Sequence, residues 1–168
     1  AQAGFSAQES LQVIGAAARG AQGTLESLSI ASDLLTSVIR AFHRPASEAA
    51  QIMDMLSVAA NASKTNLEGM KIVFNYLGPA AYAAGLSINE TLGAVMALSN
   101  AGMRMSTVGT SLRQLFIIME KPTRTLTKML EQQGMSMEDI SLKSNGLIPA
   151  LTNLAKVIQG DLGNAVSA

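Results

Sequence analysis

The chain has 168 residues, and its twelve Lys and Arg side chains are balanced by twelve Asp and Glu side chains. A neutral chain does not suit direct binding to nucleic acid, and the absence of cysteine excludes disulfides and thiolate chemistry. Hydrophobic residues make up 48% of the chain but aromatic residues only 4%, so we expect small and flexible side chains to pack closely spaced helices. Because the first residue is Ala rather than Met, we expect a segment of a longer protein.

A helix-start pattern occurs twice, in residues 4–11 and 85–92. In each copy a glycine, which adopts left-handed conformations readily, precedes an apolar residue and a Ser that is followed three positions later by Glu. The two side chains of such a capping box accept hydrogen bonds from backbone N–H groups that the first helical turn leaves free. A weaker third copy has Asp in place of Glu. The copies comprise Gly4, Ser6 and Glu9; Gly85, Ser87 and Glu90; and Gly134, Ser136 and Asp139.

The apolar spacing after the first copy predicts a helix over residues 6–19, with Leu11 and Ile14 on its apolar face. Gly20 and Gly23 are expected to close this helix, because glycine is the commonest residue just after a helix end.

Thr24 is expected to cap the second helix, which ends before Pro45. This proline is expected in the first turn of a third helix, over residues 45–60, where its missing N–H is tolerated. The fourth helix is expected to begin near Thr65, with a capping-box partner at Glu68. Pro79 lies further along, and it predicts a kink or a break because proline removes a backbone donor and restricts the preceding residue.

The second half begins with a helix from Ser87 to about Gly102. Ser106 or Thr107 is expected to open the sixth helix, which ends before Pro122, and a seventh helix follows. This order of elements repeats the order of the first half, so we infer an internal duplication.

The two predicted helical halves are residues 1–84 and 85–168, packed as one domain. Beyond the third helix-start pattern the apolar spacing loosens, and a small β-hairpin is an option near residues 140–148, before a last helix. The predicted fold class is all-α, a compact array of about seven to nine short helices.

No group of residues predicts catalysis. His43 is the only histidine, and a lone imidazole at a helix end is better explained by the helix dipole than by acid–base chemistry. Glu138 and Asp139 are neighbours, and neighbours on a helix point about 100° apart. We therefore predict no enzyme activity, no cofactor and no metal.

Two surface features leave alternative interpretations open. Gly93 and Ala97 form a small-xxx-small pair, which suits either packing within the chain or self-association. Basic residues are concentrated around helices six and seven, and they form either a solvated face or a contact with a protein partner. Binding to nucleic acid is disfavoured, because no aromatic residues lie between the basic ones for stacking on bases. These residues are Arg104, Arg113, Lys121, Arg124 and Lys128.

Linked short motifs run through most of the chain, and in their order and spacing they resemble the core region of the phage tail tape-measure protein family. One departure is Val108 before Gly109, where that family more commonly has Ala. The motifs of the first half are residues 3–6, 41–42, 54–56, 59–61 and 63. Those of the second are residues 77–81, 84–91, 98–102, 109–113, 121–123 and 134.

The resemblance implies a structural protein of the virion that is made in the host cytoplasm and lies in the lumen of the tail tube. It also implies that this protein sets tail length, scaffolds the tube and leaves ahead of the DNA at ejection. It implies as partners the tail tube protein, tail assembly chaperones and distal tail or baseplate proteins, with self-association and contact with the host membrane as further options. It implies no cofactor. The structural motif residues are Gly4, Ser6, Glu9, Pro45, Pro79, Gly85, Ser87, Glu90, Gly102, Gly109, Arg113, Pro122 and Gly134. Arg113 is expected to cap a helix end or to pair with Glu90 or Glu120.

Physical considerations restrict this expectation. An unbroken helix of 168 residues would be about 250 Å long, but four prolines and repeated glycines exclude a single rod. We expect a compact module with a radius of gyration of about 15 Å. The alternative is a membrane-active helical module, motivated by a mean hydropathy of +0.27, and leakage from liposomes would test it. A wall-hydrolase domain is disfavoured because the chain lacks a catalytic constellation.

Overall fold

The computed structural model of the chain describes residues 4–166, with side chains described for residues 4–160. Within this range the fold is all-α, as the sequence predicts, and contains nine helices without any strand. The helices are α1 (Ala7–Thr24), α2 (Leu28–Ala41), α3 (Ala49–Asn61), α4 (Leu67–Ala83), α5 (Ile88–Asn100), α6 (Met105–Glu120), α7 (Arg124–Gln132), α8 (Leu142–Asn145) and α9 (Leu147–Val166). Short 3-10 turns at Ala46–Glu48 and Glu138–Ile140 precede α3 and α8.

Helix α4 lies at the centre of the array and packs against α2 on one side and α6 on the other. Helix α1 packs against α2 and α3, and α5 contacts α3, α4 and α6. The C-terminal helices α7, α8 and α9 pack largely on one another and on the second 3-10 turn. One apolar core runs from Val13 in α1 to Val157 in α9, so both halves of the sequence contribute to the same core.

Small residues bring the helix axes close together, as the low aromatic content predicts. A Cβ added at Gly78 of α4 would lie 2.8 Å from the Cβ of Ala41 in α2. A Cβ at Gly109 of α6 would lie 3.1 Å from the Cα of Val73 in α4. The contact at Gly78 is closer than real Cβ atoms approach, and the contact at Gly109 is tighter than most of them, so glycine favours the close packing of α4 on its two neighbours.

The two capping boxes are confirmed. The backbone N–H of Ser6 donates to Glu9 Oε2 at 2.8 Å, and that of Glu9 donates to Ser6 Oγ at 3.3 Å. In the second copy the Ser87 N–H donates to Glu90 Oε2 at 3.0 Å, and the Glu90 N–H donates to Ser87 Oγ at 3.1 Å. The third copy forms the Ser136–Asp139 bond at 2.7 Å, but it opens a 3-10 turn rather than an α-helix.

The predicted end of α1 is wrong. The helix continues through Gly20 and Gly23 to Thr24, whose hydroxyl donates to the Gly20 carbonyl at 2.9 Å instead of capping α2. Ser27 caps α2 by accepting from the Ile30 N–H at 3.2 Å. Gly20 is buried against Met53 of α3, so its small size serves packing rather than helix termination.

The buried face of α1 also differs from the prediction. Leu11 and Ile14 are exposed, while Val13, Ala16 and Ala17 face the core. Small residues occupy the buried face because α1 lies close to α2 and α3, and larger side chains on that face would hold the helices apart.

Three other helix starts differ from the predictions by a few residues. Pro45 is extended, with φ −72° and ψ 152°, and it precedes the first 3-10 turn, so α3 begins only at Ala49. Asn66 rather than Thr65 caps α4, accepting from the Gly69 N–H at 2.9 Å. Helix α6 begins after Arg104 without a side-chain cap, before Ser106 and Thr107.

Pro79 does not break α4, which continues to Ala83. Leu77 and Ala81, on either side of the proline, are buried in the core, while Pro79 itself is exposed. Tertiary packing of the flanking residues therefore outweighs the loss of one backbone hydrogen bond.

The prediction of a hairpin near residues 140–148 is also wrong. Ile140 ends the second 3-10 turn, and Ser141 caps α8 by accepting from the Ser144 N–H at 3.3 Å. Gly146, with φ +74°, then separates α8 from α9. The alternating apolar residues Ile140 and Leu142 are both buried, but a 3-10 turn followed by a helical turn buries them instead of a strand.

The order of elements recurs in the second half, but the packing does not. Helix α1 packs extensively on α3, whereas its counterpart α5 packs on α3, α4 and α6, and α7 packs on α9. The recurring order of elements therefore accompanies two different arrangements of helices, and the internal duplication stays a prediction.

Candidate functional site

Most of the structural motif residues lie at helix ends. Gly4, Gly85, Gly102 and Gly134 all have positive φ, between 67° and 86°. Each precedes a new helix or 3-10 turn, so these glycines reverse the chain where L-residues would be strained. Pro122 lies in the connection between α6 and α7.

The structure brings one group of these residues together with the C-terminal helices. We call this group, formed by Gly85, Ser87, Glu90, Lys143 and Leu147, the α5–α9 junction. Glu90 Oε2 accepts from the N–H and the hydroxyl of Ser87 at 3.0 and 2.7 Å. Its Oε1 accepts from the Leu147 N–H at 3.3 Å. One carboxylate therefore holds the N-terminal turns of both α5 and α9.

The lack of a side chain at Gly85 allows α8 to pack close to the turn before α5. A Cβ at this position would lie 3.1 Å from Cγ and 3.4 Å from Cα of Lys143 in α8. Sequence reasoning selected Gly85, Ser87 and Glu90 but missed Lys143 and Leu147. No local pattern links residues 57 positions apart, so only the fold reveals this contact.

Hydrogen bonding to the Ser87 N–H lowers the pKa of Glu90, and the Ser87 hydroxyl and the Leu147 N–H act in the same direction. Partial burial opposes these effects. The pKa values of Glu9 and Asp139 are lowered for the same reason, by the N–H and hydroxyl of Ser6 and Ser136 respectively. Each carboxylate therefore stays ionised and contributes its capping at neutral pH.

Gly109 and Arg113 lie one turn apart on α6, but they differ in burial. Gly109 is buried against α4, and Arg113 is exposed. Among the described residues Arg113 forms no ion pair or hydrogen bond with Glu90 or Glu120, so the expected pairing is not seen. Arg104, Lys121, Arg124 and Lys128 are also exposed.

His43 follows α2 in a left-handed conformation, with φ +50°. Its N–H donates to the Arg40 carbonyl at 3.3 Å, and the next N–H, that of Arg44, donates to the Ile39 carbonyl at 2.9 Å. Its ring lies 4.6 Å from that of Tyr82. His43 therefore lies at a helix end, as the sequence predicts, and packs on an aromatic ring. Its left-handed conformation was not predicted, because histidine seldom occupies the position that favours glycine.

No arrangement typical of catalysis is found in the part of the chain that the structure describes. No group of three His, Asp or Glu side chains there could hold a metal ion. A cleft of about 430 Å³ lies between α1, α2 and α4 and is lined by Ser10, Thr36, Arg40 and the ion pair of Asp33 with Lys71. It contains no histidine beside its hydroxyl groups.

Gly93 and Ala97 are exposed on α5, and no atom lies within 4 Å of a Cβ added at Gly93. Close packing within the chain, one of the two interpretations of this pair, is therefore wrong at Gly93. None of the helices described between residues 4 and 166 combines the length and apolar character needed to cross a bilayer. The membrane-active alternative stays a prediction.

The chain is similar to known phage proteins along nearly its whole length. The sequence profile described as "Phage-related minor tail protein" matches residues 1–166. The tape measure protein of Pneumococcus phage Dp-1 is 28% identical over 158 residues, which cover 94% of this chain and 13% of the relative. The probable tape measure protein of Escherichia phage P2 is 29% identical over 136 residues, which cover 80% of this chain and 17% of the relative. No solved structure shows significant similarity.

The chain thus spans less than a fifth of the length of these two relatives. The family profile covers the capping boxes, the turn glycines and the α4–α6 contact described above. The family consists of structural components of the phage tail, which agrees with a molecule built from helix caps and close helix contacts rather than from a reactive site. The chain belongs to the phage-related minor tail protein family, as a region of the tape-measure type.

Proposed function

We propose that this chain is a folded helical module of a tape-measure protein that takes part in tail assembly, determination of tail length and genome ejection. The observation that carries the proposal is the single apolar core that joins α1 to α9. An extended ruler would expose this core to water, and each buried Leu or Ile exposed would cost about 2 kcal/mol.

The lengths of the helices support a compact module. The longest helix among the described residues, α9, has 20 residues and so spans about 30 Å, whereas the chain as one helix would span about 250 Å. The ruler portions of the protein then lie in other parts of the longer chain, and this region acts as a folded unit.

The proposed location is the lumen of the tail tube in the virion, after synthesis in the host cytoplasm. The proposed partners are the tail tube protein, the tail assembly chaperones and distal tail or baseplate proteins. The five exposed basic residues in and next to α6 and α7 support contact with a protein surface of negative charge. The proposed role is structural, with no catalytic step, no cofactor and no specific binding of nucleic acid.

Tail length after an in-frame deletion of residues 1–168 tests the proposal. The expected result in electron micrographs is failed assembly or tails of nearly unchanged length, because a folded module contributes little to length. Tails shorter by about 250 Å would show that the segment is extended, and fully infectious particles of normal form would contradict the tail role.

Two point variants, which leave the length of the chain unchanged, test whether normal tails require the folded state of this module. Leu77 of α4 is fully buried and Asn75 of the same helix is exposed. Leu77→Asp places a charge in the core and is expected to abolish normal tails, while Asn75→Asp is expected to leave them intact. Normal, infectious tails in the Leu77→Asp variant would show that the folded state is dispensable.

A further inference from the structure

The cleft of about 430 Å³ between α1, α2 and α4 has a polar wall on α2. Four side chains of this wall have the spacing of one helix face, namely Asp33, Thr36, Ser37 and Arg40. The first and the last of them are two helical turns apart, which is about 10 Å. This length matches about three residues of an extended peptide.

The charged side chains that line the cleft do not cancel one another. Lys71 of α4 places its Nζ 2.7 Å from Asp33 Oδ2, so these two residues form a neutral pair. Arg40 lies at the other end of the polar wall, and its guanidinium forms no ion pair with a described residue. An occupant that brings one carboxylate to Arg40 therefore complements the charge of the cleft.

The hydroxyl groups in the cleft are available to an occupant. In other parts of the chain the hydroxyls of Thr24 and Thr91 donate to a carbonyl one helical turn earlier. The hydroxyls of Ser10, Thr36 and Ser37 form no such bond with a described residue, although these side chains are half-buried. They can donate to backbone carbonyls of a bound segment and accept from its N–H groups.

The wall that faces these hydroxyls is apolar. Phe5, Val13 and Ile14 form it, from the start and the first turns of α1. Ile14 keeps 49% of its surface exposed, although the apolar spacing of α1 predicts that it is buried. An apolar side chain of an occupant would cover Ile14, and such burial is favourable by about 25 cal/mol per Å².

We propose that this cleft binds a short acidic segment of a partner protein, in which an Asp or Glu lies next to an apolar residue. The carboxylate pairs with Arg40, the backbone of the segment bonds to the hydroxyls of Thr36 and Ser37, and the apolar side chain packs on Ile14. The inference goes beyond the proposed tail role and does not rest on it, because binding by the isolated chain is sufficient to test it.

A nucleic acid fits the cleft less well than a peptide. Each nucleotide carries a phosphate, whereas Arg40 supplies a single positive charge that no described residue balances. Phe5 is the one aromatic residue among the described lining residues, and it is half-buried, so the cleft offers no row of exposed rings for stacking on bases.

The first test is selection from a random peptide library displayed on filamentous phage, with the 168-residue chain immobilised. We expect the retained peptides to share an Asp or Glu next to an apolar residue. A selection that retains no peptide, or that retains peptides without an acidic residue, would overturn the proposal.

Calorimetry with a synthetic copy of a retained peptide then locates the binding site. Arg40→Gln removes the charge at the end of the cleft and is expected to weaken binding at least about tenfold. Thr36→Val removes one hydroxyl at nearly constant shape and is expected to weaken binding about threefold. The matched control is Arg19→Gln, at another exposed arginine of α1 that lies outside the cleft, and it is expected to leave the affinity unchanged.

Two results of the calorimetry would contradict the assignment. If Arg40→Gln binds the peptide as tightly as the native chain does, the peptide occupies another surface. If a single-stranded oligonucleotide displaces the peptide at similar concentration, the cleft binds phosphate chains rather than an acidic peptide. Melting temperatures close to that of the native chain serve as the control for folding of each variant.

Discussion

At the scale of single residues, Leu25 ends α1 in a conformation that favours glycine. It has φ +57° and is 95% exposed, so the side chain gains little from burial while the backbone is strained. A left-handed L-residue costs about 1–2 kcal/mol. We predict that Leu25→Gly raises the free energy of unfolding by about 1 kcal/mol in urea titrations. Leu25→Ala retains the strained backbone and is the control; equal stability of the Gly and Ala variants would disprove the strain.

The stabilisation that the α5–α9 junction contributes to the folded chain depends on pH, because the carboxylate of Glu90 titrates. Because hydrogen bonds lower its pKa in the folded chain, its stabilisation is fully present above the pKa of the unfolded chain and is lost as pH falls through the folded pKa. We predict that Glu90→Gln lowers stability at neutral pH and reduces the loss of stability between about pH 6 and about pH 3.

Chemical denaturation at several pH values measures this effect. Glu131→Gln, at an exposed residue without a hydrogen bond to a second helix, is the matched control. Parallel stability curves for the Glu90→Gln variant and the native chain would exclude a role for the Glu90 carboxylate.

At the scale of helices, the α4–α6 contact depends on Gly109. A methyl group there would meet the Cα and carbonyl oxygen of Val73 at 3.1 and 3.2 Å, and backbone atoms cannot move aside as a side-chain end can. We predict that Gly109→Ala lowers the free energy of unfolding by about 1–3 kcal/mol. Gly15→Ala in α1, where no atom lies within 4 Å, should instead stabilise by about 0.5–1 kcal/mol through helix propensity. If thermal unfolding shows that both variants are stabilised, or that both are destabilised, relative to the native chain, the close contact at Gly109 would be refuted.

The two helix starts that carry a complete capping box were predictable from the sequence, whereas several other starts and the ends of α1 and α4 were not. The Ser87–Glu90 box acts over three residues and needs no other part of the chain, so its pattern is sufficient. Gly20 and Pro79 have strong local tendencies against helix, but both lie inside helices because Met53 packs on the first and buried Leu77 and Ala81 flank the second. The junction contact between Glu90 and Leu147 was likewise beyond local reasoning.

At the scale of the whole molecule, one core serves both halves of the sequence. We predict a single cooperative unfolding transition by calorimetry and a radius of gyration of about 15 Å in solution scattering. Leu56→Ala in α3 and Leu142→Ala in α8, both in buried positions, should each lower stability by about 2–5 kcal/mol and shift the same transition. Two separate transitions, each sensitive to one variant, would show that residues 1–84 and 85–168 fold independently.

The sequence by itself determined the all-α class, the capping boxes and turn glycines, and the resemblance to tape-measure proteins, because each of these depends on residues close together in the chain or on motif order. Only the tertiary structure decided where α1 and α4 end, which face of α1 is buried, how residues 138–147 fold and which helix shares a carboxylate with α5. Those outcomes depend on side chains from distant segments. Burial in a common core is worth more than the local preference of a single glycine or proline.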